Sequence, residues 1–261
     1  MKQGRVDEGL VLLDEALAGS LGGEGGSFDT VVFTSCEIGS CTRCADFERA
    51  VQWIRSADRF TDGYGCPYLY VYRRTLYGSV LIATGNWGRA EVELTTALKE
   101  ARASQPALAC LAAALLTELR VGQGRVVEAE RLVGGLEDQE PAAAAVAAIH
   151  LARGRPVVAE STVRRALETS RRNELERSLL LELLGVAEMT QGRFDTALDG
   201  GRELAELGVA LDCRLIVARG ERLRGHALAA AKTRRRHAAT SRRRWRDSFG
   251  LGCRSRRPVL T

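Results

Sequence analysis

Small residues recur along the chain at fixed offsets, with apolar positions of helical period between them. Each set opens on Gly or Ala, continues with Gly or Ala five places on, and reaches Ala or Leu twelve places on. The sets are Gly4, Gly9, Ala16; Ala45, Ala50, Ala57; Gly85, Ala90, Ala97; Gly124, Ala129, Leu136; Gly154, Ala159, Ala166; and Gly192, Ala197, Leu204. Their starts lie 41, 40, 39, 30 and 38 residues apart. The opening residue predicts a left-handed helix cap, the usual place of Gly. Offsets of five and twelve differ by seven, so both later residues fall on one face of the following helix. Small residues there let two helix axes approach closely. Val92, Leu94 and Leu98 in the third set, and Leu198 and Leu207 in the sixth, fill the adjoining grooves. Upstream of the caps, helices are predicted over 28–43, 67–83, 106–122, 141–152 and 174–190. Pro67, Pro106 and Pro141 stand near three of their starts, where a missing N–H costs nothing. Every unit is thus helix–turn–helix, and one unit cannot bury its apolar face alone.

The second helices resemble the tetratricopeptide repeat, whose signature is visible in GNWGRAEVELTTAL (Gly85 to Leu98) and GRFDTAL (Gly192 to Leu198). The resemblance covers roughly residues 3–230. It departs from the family in unit length, near 40 rather than 34, and in its first-helix pattern. The longer units look like the sensor region of large bacterial LuxR-type, MalT-like ATP-binding regulators. The run from Cys41 to Leu94 is similar to the repeat region of actinobacterial members. The resemblance implies an all-α fold, an α-solenoid of about six helix pairs. It implies a non-catalytic module that senses a ligand or partner on its concave face. In that family an ATPase module precedes the repeats and a helix-turn-helix DNA-binding module follows. No GxxxxGK[ST] phosphate loop is present, and no apolar-periodic segment of helix-turn-helix size follows residue 231. Gly4 would cap a helix that the sequence does not contain, so a fragment of such a regulator is the expectation.

Composition agrees with a globular helical chain. Of 261 residues, 45% are hydrophobic, 27% charged and 5% aromatic, which excludes wholesale disorder and collagen-like sequence. The longest uncharged apolar stretch, Ala142 to Ile149, falls far short of the roughly 20 residues a bilayer span needs. The N-terminus has no apolar signal core, and a cytoplasmic protein is expected, with no membrane partner. The net charge of +5 conceals two halves. Residues 232–261 hold eleven Lys and Arg but one acid, a net +10, so residues 1–231 carry −5. The chain therefore divides into a repeat domain, 1–231, and a basic tail, 232–261, expected to be disordered. The tail reads as an out-of-frame extension, as a nucleic-acid-binding arm with Trp245 stacking, or as plain solvated chain.

Candidate chemistry is sparse. Seven cysteines at loose spacing, without a secretion signal, point to reduced thiols. Cys41 and Cys44, with Cys36 and Cys66 nearby, make one close pair, whereas a structural zinc site typically has two and no His is near. The stretch Gly19 to Ser27 lacks the Lys of a phosphate loop and reads as a flexible connection. Only His150, His226 and His237 are present, and no nucleophile–base set can be proposed. The chain reads as a non-enzyme without cofactor or metal. Glu91, Glu93 and Glu100 read as a solvated helix face. All five tyrosines lie between Tyr64 and Tyr77, with Arg73 and Arg74 among them. Tyr68, Tyr72 and Arg73 are candidates for partner or ligand contact on a first helix, or for packing between units. The repeat-packing positions are Gly85, Ala90, Ala97, Gly124, Ala129, Gly154, Ala159, Ala166, Gly192 and Ala197. The alternatives to a LuxR-type sensor module are a free-standing scaffold for protein segments and nucleic-acid binding through the tail. DNA contact through the regulator's own modules would lie outside these residues.

Overall fold

The computed structural model describes residues 6–22, 26, 36, 38–42, 44–64, 67–104, 106–169 and 174–250. Among them are helices α1 (Val6–Leu21), α2 (Phe47–Tyr64), α3 (Pro67–Ala83), α4 (Trp87–Ser104), α5 (Pro106–Gly122) and α6 (Val126–Val133). A 3-10 turn, Glu140–Ala142, leads into α7 (Ala143–Ala152). Then follow α8 (Pro156–Thr169), α9 (Glu174–Thr190), α10 (Phe194–Ala210) and α11 (Arg214–Gly250). Residues 38–42 are also helical, and no described residue is in a strand. Three of the predicted upstream helices match in both bounds: α3, α5 and α9.

The caps form one turn, made repeatedly. Ala45, Gly85, Gly124, Gly154 and Gly192 all take positive φ, at 64, 80, 75, 68 and 82°. In each, the N–H of the next residue reaches back to the carbonyl five positions earlier, as in Asn86 to Leu81 at 2.9 Å and Arg155 to His150 at 2.8 Å. The cap's own N–H bonds the carbonyl three before it, as in Gly124 to Val121 at 2.9 Å. These paired bonds satisfy two carbonyls that a helix end would leave bare. Asp212, with φ 49°, makes the same turn between α10 and α11, where no small residue announced it. Gly4 lies outside the described residues.

The small residues five places past the caps, Ala50, Ala90, Ala129, Ala159 and Ala197, have no exposed surface. Those twelve past are buried too in Ala57, Ala97, Ala166 and Leu204. Leu136 differs, because α6 ends at Val133 and leaves it half-buried beyond the helix. That short α6 and the ten-residue α7 account for the one spacing of 30. In α1 burial falls one residue late, on Leu10 and Leu17 rather than Gly9 and Ala16. The expected Gly19–Ser27 connection begins only after Leu21, since α1 incorporates Gly19.

From α2 onward each helix packs mainly on its neighbours in sequence. In addition α3, α5, α7, α9 and α11 touch one another in order. The apolar residues gather accordingly in successive clusters: one among α3, α4 and α5, one among α5, α6 and α7, one among α7, α8 and α9, and one between α10 and α11. The expected boundary at 231/232 is not a helix end. Helix α11 runs on to Gly250, through Ala-rich and Arg-rich text of high helix propensity with no Pro to stop it. Residues 251–261 lie outside the described ones.

Candidate functional site

A second repeat, polar this time, joins the units. An acid stands six residues past three of the caps: Glu91, Glu130 and Glu160. Each meets an arginine flanking the next cap. Glu91 accepts a hydrogen bond from Arg120 at 2.7 Å and from Arg125 at 3.3 Å. Glu130 pairs with Arg153 at 2.6 Å, and Glu160 with Arg193 at 2.5 Å. Hydrogen bonding from Arg120 is the largest influence holding the Glu91 carboxyl down at about 2. That from Arg193, joined by Gln191, does the same for Glu160, also about 2. Glu93 bonds Arg74 at 2.7 Å. The reading of Glu91 and Glu93 as a solvated face is therefore corrected. The signal was present in the sequence, as Gln-Gly-Arg at 123–125 and 191–193 and Arg-Gly-Arg at 153–155.

Of the tyrosine–arginine cluster, Tyr72, Arg73 and Arg74 are turned toward neighbouring helices. Arg73 is buried and pairs with Asp58 of α2 at 2.6 Å. Tyr72 is half-buried against apolar clusters on both sides of α3. Arg74 lies 4.4 Å from the centre of the Tyr70 ring while binding Glu93 of α4. The side chain of Tyr68 lies outside the described residues. Tyr72 and Arg73 are thus held by contacts within the chain.

One hydrogen bond and one longer-range charge interaction span distant elements. The Cys44 thiol hydrogen-bonds Cys213 at the start of α11. That bond, helped by the Ile216 and Leu215 backbone, pushes the Cys213 thiol down to about 6. Burial pushes the Glu118 carboxyl of α5 up to about 7, against the pull of Arg219 on α11. Among the described residues no cluster of His, Cys, Asp and Glu could hold a metal. None of the described helices is long and apolar enough to cross a membrane.

A groove of about 770 Å³ lies between α4 and α6, floored by α5, within the size range of binding sites. Leu98, Leu116 and Leu132 give it an apolar lining, and Lys99, Arg102 and Arg131 stand exposed around it. Its lining also includes Arg120 and its one acid, Glu128. Arg120 is taken by Glu91, and Glu128 by Arg125 at 2.6 Å. Lys99, Arg102 and Arg131 make no ion pair among the described residues. Sequence reasoning missed this site because its three cations sit on two helices about thirty residues apart.

Compared with protein-family models and with curated proteins, the chain finds no match.

Proposed function

We propose that the chain is a non-catalytic interaction module: a solenoid of tetratricopeptide-like helix pairs that serves as the sensing region of a LuxR-type transcriptional regulator. The observation that carries this reading is the recurring turn, which at five of its occurrences is followed by the same buried alanine. Units built alike and stacked through their first helices give a superhelix with an inner and an outer face. The hydrogen bond between Cys44 and Cys213 supports a row that curls back toward itself. Binding of a ligand or partner would shift the curvature of such a row, and attached modules would respond. Sequencing the DNA on both sides of the coding segment tests the regulator. A phosphate-loop ATPase frame upstream and a helix-turn-helix frame downstream are expected. Two unrelated neighbouring genes would remove the regulator and leave the scaffold.

That second reading, a scaffold that holds protein segments, is favoured by one observation of its own. The groove over α5 is open, apolar at its base and edged by unpaired charge.

A further inference from the structure

Resting on the scaffold reading, we propose that the groove between α4 and α6 docks an acidic peptide segment, with its carboxylates on Lys99, Arg102 and Arg131 and its apolar side chains on Leu98, Leu116 and Leu132.

The charge argument comes first. Three cations share one groove with no acid left to answer them, because Glu128 and Arg120 are spent on Arg125 and Glu91. The surrounding body, residues 1–231, is net −5, so this concentration of positive charge runs against its background. Such a groove attracts and orients an anion.

The floor narrows the class. A small inorganic anion would satisfy the cations and leave the leucines bare. Nucleic acid would bring phosphates, yet no aromatic residue lines the groove to stack a base. A peptide can supply both carboxylates and apolar side chains. Dimensions agree. The α4 wall runs from Thr95 to Ala103, about 12 Å at ~1.5 Å per helical residue. Roughly four residues of extended chain cover that length, and their side chains alternate between two directions. Acids on one set and leucine-like residues on the other would meet the rim and the floor.

Fluorescence anisotropy with three labelled hexapeptides tests the proposal: Glu-Leu-Asp-Leu-Glu-Leu, its neutral Gln/Asn counterpart and its lysine counterpart. The full chain should bind the acidic peptide, more weakly as salt rises. Reversing the groove in one variant (Lys99→Glu, Arg102→Glu, Arg131→Glu) should weaken that binding by about tenfold or more. It should also create binding of the lysine peptide. All three side chains are exposed, so the melting temperature should hold. If it drops, the Gln variant at the same positions replaces the reversal and should lose the acidic peptide alone. Undiminished acidic-peptide binding by the folded variants would place the contact elsewhere, on the arginine-rich end of α11, and overturn the proposal. So would a single-stranded oligonucleotide that binds more tightly than the peptide and is lost with the same residues. Neutral or lysine peptide held by the wild-type groove in place of the acidic one would refute the acidic class and keep the scaffold. Binding of none of the three would remove both.

Discussion

The helix pair α3–α4 and the helix pair α10–α11 share one turn and are closed by different seams. In α3–α4, alanines 90, 97 and 101 of α4 are buried without exposed surface. The single glycine of the seam, Gly78, opens a space filled by the side chain of Leu94. In α10–α11 the close approach is between backbones. A Cβ on Gly220 would stand 2.5 Å from the Ala205 nitrogen and 2.6 Å from the Gly201 carbonyl oxygen, and one on Gly208 would stand 3.0 Å from the Ile216 carbonyl carbon. The first seam is a side chain set into a gap. The second is two helices touching through their main chains, and a main chain cannot rotate away.

The largest expected effect follows from that contrast. Gly220→Val should destabilise by about 3 kcal/mol or more, since the helices must separate along their length. Gly78→Ala meets the Leu94 side chain instead, with Cγ and Cδ2 nearest the new methyl and Cδ2 at 2.5 Å, and should cost about 1–3 kcal/mol, less than Gly220→Val because a side chain can shift. Urea unfolding of the two variants measures both. Equal losses would mean that the two seams are alike.

Ala90→Leu comes next. Its side chain would enter the buried face between α3 and α4, at a cost of about 1–3 kcal/mol. The same change at Val92, which is 63% exposed on the same helix, should be neutral. An unchanged midpoint for Ala90→Leu would put the repeat one residue out of register, as happens in α1.

That slip in α1 shows where the sequence was readable. A positive-φ cap admits few residues, so Gly85, Gly124, Gly154 and Gly192 marked turns, and the alanine five places on had to follow the helix they started. Ala45 was found through the period, not through its own chemistry. Asp212 was missed because its turn joins a second helix to a first one, against the order of the others. The small position seven residues before four caps, at Gly78, Thr117, Ala147 and Gly185, was visible and unused. Charges were read less well. A surface glutamate shows its partner only when the next unit is placed beside it, so Glu91 looked solvated. The groove cations were hidden for the same reason, being neighbours through stacking and not through sequence.

The polar ladder separates the units in a different way, because it responds to pH and the alanine seam does not. Glu91 and Glu160 bind protons less readily when folded, near 2, than when unfolded, near 4.5. Their contribution is therefore complete above about pH 4.5 and is lost as pH falls through 2. Thermal melts from pH 6 to pH 2 should show the midpoint falling below pH 4.5. Glu160→Gln should lower the midpoint at pH 6 by the equivalent of roughly 1 kcal/mol and flatten the fall at low pH. A variant curve parallel to wild type throughout would disconnect Glu160 from the acid response.

The smallest effects lie in the turns, where the two pairs are most alike. Gly124 has φ 75° and nothing within 4 Å of where a Cβ would go. Gly124→Ala thus tests the backbone alone. A left-handed conformation costs an L-residue roughly 1–2 kcal/mol, and the stiffer unfolded chain returns about 0.4–1 of that, leaving a loss of between roughly 0 and 1.6 kcal/mol. Ala45 already bears that cost at φ 64°, and Asp212 bears it at φ 49°. Ala45→Gly should therefore stabilise by the same small amount, with the sign reversed. Asp212→Gly should gain less, because aspartate tolerates the left-handed region better than alanine does. Urea midpoints for the three variants should rank Ala45→Gly above Asp212→Gly and both above Gly124→Ala. If Ala45→Gly destabilises instead, the first turn is held by the helices it joins and not by the conformational preference of its cap.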